Sequence, residues 1–152
     1  MALHLVRRFF GFLTAAPLSP KEQVEIHEAL PSRLAPLFFA QRPEDQRHAL
    51  DVYSRVGSDP VLVQAALLHD VGKIESDLGA IGRSLATLWS ATSLPIWGRW
   101  QAYLDHGRLG ADVLEAHEAD DLAVAFTRHH PGTAPNAVDP VHWQRLGAAD
   151  DT

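Results

Sequence analysis

Residues 65–74 read AALLHDVGKI, and the run from 61 to 68 is apolar at every position except Gln64. A helix that is apolar almost all round is a buried helix. This one ends abruptly in His69 and Asp70, with Gly72 and Lys73 just beyond. An imidazole and a carboxylate at the end of a buried segment need partners, because lone buried polar groups cost free energy. The simplest partner for a neutral imidazole beside a carboxylate is a divalent cation. Such a cation needs further ligands from the rest of the chain.

The bulk composition is compatible with that chemistry and narrows it. A chain of 152 residues with 46% apolar and 21% charged residues can build one sizeable core. A net charge of −6 argues against a nucleic-acid backbone as general partner. It does not argue against a phosphate substrate, since a bound cation reverses the local field. The absence of cysteine removes disulfides, thiolate metal sites and cysteine nucleophiles, and leaves the redox compartment open. Arg7 and Arg8 before a short apolar run, with Ala15 and Ala16 after it, only faintly resemble an export signal. The run is too short to span a bilayer. A first helix at 3–14, no membrane and a cytoplasmic location are therefore expected.

No strand-type alternation persists, whereas helix starts are well marked. Ser19-Pro20-Lys21-Glu22 combines an N-cap, a proline in the first turn and a capping-box glutamate. Asp59-Pro60 and Asp139-Pro140 repeat the cap-plus-proline signal. The pattern predicts helices at 3–14, 20–30, 33–40, 43–56, 60–71, 78–91, 95–104, 106–117, 120–130 and 140–150, joined by short connections. The longest irregular stretch is PGTAPNAV at 131–138. The chain is expected to be all-α, with residues 1–39 forming an N-terminal helical segment packed on a unit at 40–152.

Titratable residues with ligand chemistry recur at helix ends and on inward-capable faces. His48 sits on the helix at 43–56, one turn after Glu44. His106 opens the helix at 106–117, where Gly107, Gly110 and Ala111 allow close approach of a neighbour. His117, at the far end, suits the helix dipole better than a ligand role. The helix at 120–130 ends in His129-His130, and adjacent helical side chains point about 100° apart, so both would not normally share one cation. Asp150 belongs to the final helix. Trp89, Trp97, Trp100, Trp143 and Tyr103 are read as core or lid packing. A cation held by His48, His69, Asp70 and Asp150 would have two imidazole and two carboxylate ligands. A second would take His106 with His129 or His130, bridged by Asp70. Nitrogen and oxygen donors without thiolates suit Mn, Fe, Co, Ni or Zn, with Mg at an oxygen-richer site.

The order His48, His69-Asp70, Asp150, with AALLHDVGKI around the doublet, resembles the HD-domain superfamily of metal-dependent phosphohydrolases. The resemblance covers about residues 40–152 and implies a helical bundle of about eight to ten helices. His106, Gly110-Ala111 and His129-His130 are further similar to the two-metal branch that includes cyclic-dinucleotide phosphodiesterases. Glu44 is similar in position to an acidic ligand of some two-metal members. After His130, where that branch carries an acidic residue and a Gly-Tyr-Pro signature, this chain has Pro131-Gly132-Thr133-Ala134-Pro135. That departure argues against cyclic di-GMP as substrate.

The resemblance implies one or two divalent cations that activate water against a small phosphorylated substrate such as a nucleotide. His48, His69, Asp70 and Asp150 would hold the first, with Asp70 bridging to a second on His106 and His129 or His130. Lys73 would either contact a substrate phosphate or satisfy the dipole of its helix. Two other outcomes share the ligand pattern: a di-iron oxygenase of the same fold, and a catalytically silent metal-binding signalling or scaffold domain. Oligomeric state is not readable from the chain.

Overall fold

The computed structural model describes residues 16–57, 59–76 and 98–151. Every regular element among them is helical, as expected, and no strand occurs there. The expected helices at 3–14 and 78–91 lie outside the described residues. None of the described helices is long and apolar enough to cross a membrane.

The first helix, α1 (Pro20–Ala29), starts where the capping box places it. Ser19 Oγ accepts from the Glu22 backbone N–H, and Glu22 Oε2 accepts from the Ser19 N–H at 2.7 Å. Two short turns later come α2 (Ala35–Ala40) and α3 (Pro43–Val56), the latter closed by Gly57 in a left-handed conformation, φ 74°. Arg47 on α3 reaches back to Glu22, with Nη1–Oε1 at 2.6 Å, and so ties α3 to the start of α1. The Arg47 hydrogen bond, helped by Ser19, draws the Glu22 carboxyl down to about 2. A carboxyl lowered on folding contributes stability above its ordinary value of 4.5, and that contribution is lost as pH falls towards 2. Glu22→Gln keeps the cap but not the charge. It should therefore melt below wild type at pH 7 and level with it near pH 2. Parallel melting curves across that range would refute the pairing.

The organising helix, α4 (Val63–Leu68), is the centre of the core. Ala65, Ala66, Leu67 and Leu68 are all fully buried, and α4 packs between α3 and the later helix α7 (Asp121–His129). The sequence pattern expects a helix from 60 to 71. The structure starts it at Val63, after a turn at 60–62, and ends it at Leu68. His69 and Asp70 stand in a turn, and the chain tightens into a 3₁₀ segment, Val71–Ser76.

The tightening has a packing cause. Gly72 lies against the backbone of α6 (His106–Ala116), where an added Cβ would run into His106 O and stand 2.6 Å from Gly110 N. Gly110 is cramped from its own side, though less severely, its Cβ position being 2.8 Å from Gly72 N. Two glycines thus let a turn and a helix touch backbone to backbone. Between them in the chain, α5 (Arg99–Leu104) also packs on the 3₁₀ segment.

The last two helices are capped by aspartates. Asp120 Oδ1 accepts from Ala123 N at 2.7 Å at the start of α7, and Asp139 Oδ1 accepts from Val141 N at 2.8 Å at the start of α8 (Pro140–Asp150). Trp143, Leu146 and Ala149 bury α8, and two arginines fasten it to the end of α3. Arg55 donates to Ala149 O at 3.0 Å, and Arg145 donates to Val56 O at 2.9 Å. One buried cluster contains Leu18, Ile26, Leu30 and Phe38 together with Leu50, Leu67, Phe126 and Leu146. The described residues before 40 therefore share a core with those after it.

Candidate metal centre

Asp150, in the last turn of α8, is where three separate parts of the chain meet. His48, on the inner face of α3, donates from Nε2 to Asp150 Oδ1 at 2.6 Å across 102 residues of sequence. His130, the residue that caps α7, donates from Nε2 to Oδ2 at 2.7 Å. His69 Nε2 lies 3.4 Å from Asp150 Oδ1 and 3.6 Å from Asp70 Oδ2. Burial by itself raises the Asp150 carboxyl, but the hydrogen bonds from His130 and His48, with the His69 ring close by, outweigh it and hold the group well below the usual carboxylate range.

His69 is held in one orientation. Its Nδ1 is 3.1 Å from Ala66 O, and a carbonyl can only accept, so Nδ1 is the donor. In a neutral imidazole that leaves a lone pair on Nε2. This nitrogen is buried, has no hydrogen-bond partner, and faces the two carboxylates. A lone pair among anionic oxygens is unfavourable unless a positive charge sits there too. Burial pushes the His69 pKa down, yet Asp70 and Asp150 together leave it raised. The position demands a proton or a cation.

Asp70 forms the outer half of the cluster. The 3₁₀ geometry eclipses side chains three residues apart. That stacks Lys73 over Asp70, and Nζ makes a short buried ion pair with Oδ2. The other oxygen, Oδ1, lies 3.8 Å from His106 Nε2 at the start of α6. Burial raises the Asp70 carboxyl; Lys73, then His69, His48 and His106, more than reverse this and keep it ionised. His106 is the most open of these side chains, 30% exposed.

The donor set fits a divalent cation. His48, His69 and Asp150 each offer a ligand atom, and these atoms lie within 4.8 Å of one another. Two imidazoles and a carboxylate, with an orphaned buried nitrogen among them, are borderline-hard donors suited to first-row metals. A second grouping, His130, Asp150 and Asp151, is equally close but includes an exposed carboxylate. Asp151 was not singled out as a ligand by the sequence pattern; its adjacency to Asp150 was the available signal.

The structure thus gathers His48, His69, Asp70, Lys73, His106, His130 and Asp150 into one neighbourhood. His129 is not in it. That side chain is exposed and lines an open surface hollow of about 630 Å³ with Arg128, His142 and Val138. Glu44 Oε1 accepts from Arg42 Nε at 2.7 Å. Trp143 is core, edge-on to Phe126 at 5.1 Å, and Phe126 in turn stacks on His130 at 4.4 Å. Trp89, Trp97 and the Tyr103 side chain lie outside what the structure describes. His117 bonds the carbonyl of Val113 through Nδ1 at 2.8 Å, as a helix-end histidine should.

No protein-family model, no curated protein and no solved structure matches the chain.

Proposed function

We propose that the chain is a metal-dependent phosphohydrolase with an HD-domain helical bundle, acting on a nucleotide or another small phosphoester. The observation that carries this reading is the orphaned, buried Nε2 of His69, set between Asp150 and Asp70 beside His48. Separate helices converge there in the order that the sequence resemblance implies. His48, His69 and Asp150 would hold the cation, with Asp70 alongside. When bound, such an ion acidifies a water and draws charge from a phosphoryl group. The chain's own residues do the rest. His130 fixes the rotamer of Asp150, Lys73 keeps Asp70 ionised, and His106 at the rim is the side chain a substrate would meet first.

The test is a protein purified without added metal, analysed for its elements and assayed against nucleotides and simple phosphoesters. Chelator-sensitive phosphate release under anaerobic conditions is expected. Bound metal with no release from any substrate would favour the silent scaffold reading, and iron with activity only under oxygen the oxygenase. Chelation should also lower the melting temperature. At a hundredfold excess over Kd a ligand of the folded state contributes about 2.7 kcal/mol, which for a chain of this size is about 5–10 °C. An unmoved transition would mean that no cation is held.

A further inference from the structure

We propose that His130 is a positioning residue of the centre and not one of its ligands: it holds Asp150 Oδ2, so that the carboxylate offers a cation only Oδ1, on the side of His48 and His69. This rests on the metal-centre reading above and sharpens it, since the residue pattern alone allowed His130 as a ligand of a second ion.

The two oxygens of Asp150 face different surroundings. On Oδ1 two histidines converge, His48 Nε2 at 2.6 Å and His69 Nε2 at 3.4 Å. Their ring centroids stand 5.4 Å apart, and the His69 nitrogen is buried without a partner. A cation among these three groups would take up that lone pair. On Oδ2 stands the His130 ring, its Nε2 at 2.7 Å. Asp150 is held ionised, and an ionised carboxylate only accepts, so Nε2 is the donor. The other possible ligand on this side, Asp151, is exposed. The nitrogen of His130 that has no partner is Nδ1, not the one that meets Asp150. Among the described residues, the orphaned lone pair that faces Asp150 is therefore on the Oδ1 side.

Packing fixes the His130 ring independently of any ion. Its backbone N–H closes α7 by donating to Phe126 O at 2.9 Å. Residues four apart share a helix face, and the His130 ring stacks on Phe126 at 4.4 Å with 22° between the planes. Phe126 is fully buried and stands edge-on to Trp143, which belongs to the same helix as Asp150. The donor on α7 and its acceptor on α8 are thus carried by helices locked together beneath them. A hydrogen-bond partner of this kind behind a metal ligand is worth about 10–100-fold in metal affinity.

Mn²⁺ titrated into chelator-stripped full-length protein reads this out without any turnover. His130→Phe keeps a ring on Phe126 but cannot donate to Asp150, and should weaken Mn²⁺ binding by about 10–100-fold. His130→Gln can still donate to Oδ2 and should recover most of the loss. A role confined to packing would instead move the melting temperatures of the metal-free variants and leave the affinity alone. Electron spin-echo modulation from nitrogens bound to Mn²⁺ should be the same in His130→Gln as in wild type, because His48 and His69 remain. Loss of a nitrogen coupling in His130→Gln would make His130 a ligand and overturn the proposal, while leaving the metal-centre reading intact. Wild-type affinity in His130→Phe, or a Gln variant as weak as the Phe one, would overturn the role given to the donated hydrogen bond. No Mn²⁺ binding by the wild type would overturn the metal-centre reading itself, and the proposal with it. Should His130→Phe not fold by circular dichroism, the affinity and nitrogen coupling of His130→Gln decide.

Discussion

Asp150→Ala is expected to abolish metal binding and to lower stability measurably even in the presence of chelator. The carboxylate accepts from His48 and His130 on its two oxygens and faces His69 as well, with a side chain only 10% exposed. Removing one partner of a buried charged pair costs about 3–5 kcal/mol. Here the stranded groups are imidazoles and not fixed charges, so the lower end applies. A loss of about 3 kcal/mol corresponds to roughly 6–12 °C in Tm for a chain of this length. Asp150→Asn keeps the shape and part of the hydrogen bonding, so it should melt closer to wild type yet still fail to hold the ion. Elemental analysis and a thermal melt check both variants. An alanine variant that retained its metal would mean that His48 and His69 serve some other purpose.

Gly72→Ala should be nearly as damaging, although it touches no ligand. Its new methyl would run into the carbonyl of His106 and the amide of Gly110. Both obstacles are backbone, so no side chain can swing aside. Overpacking usually costs about 1–3 kcal/mol, and a rigid obstacle places this case at the top of that range. Relief requires the 3₁₀ segment to part from α6, which would separate Asp70 and Lys73 from His106. Lower Tm and weakened metal retention should therefore appear together. A variant melting like wild type would show that the two glycines are not in contact in solution. Gly110→Ala tests the same contact from the other side.

Local signals in this sequence were legible because they act locally. Ser19-Pro20 and Asp139-Pro140 mark helix starts at the residues where α1 and α8 begin. Asp59-Pro60 looks the same on paper but opens a turn, and the regular helix waits until Val63. Asp59 accepts from Val61 N on one oxygen, as Asp139 does from Val141 N, but its other oxygen is bound by Arg145 of α8 at 2.6 Å. That ion pair spans 86 residues and leaves no trace in the local text. The early end of α4 has a similar origin, in a backbone contact with a helix more than thirty residues away.

The inward set of His48, His69, Asp70, His106 and Asp150 could be assembled from the residue types and their spacing. Choosing between His129 and His130 needed one further step that the pattern did permit. Phe126 is the fully buried anchor of α7, and the residue four places on shares its face. That residue is His130, which the structure stacks on Phe126. The pairing of His130 with Asp150, and of Lys73 with Asp70, was not legible. It depends on how a 3₁₀ turn and two helix ends meet in space.

One separation of residues has a consequence for the molecule as a whole. His48 and Asp150 are 102 positions apart, and the chain contains no cysteine to cross-link its distant parts. An ion gripped by both would act as a reversible staple. Because such an ion leaves when the chain unfolds, its contribution grows with its free concentration and not with the length of the loop it closes. An ion held there would double as a clasp, and its scarcity would threaten the survival of the folded chain.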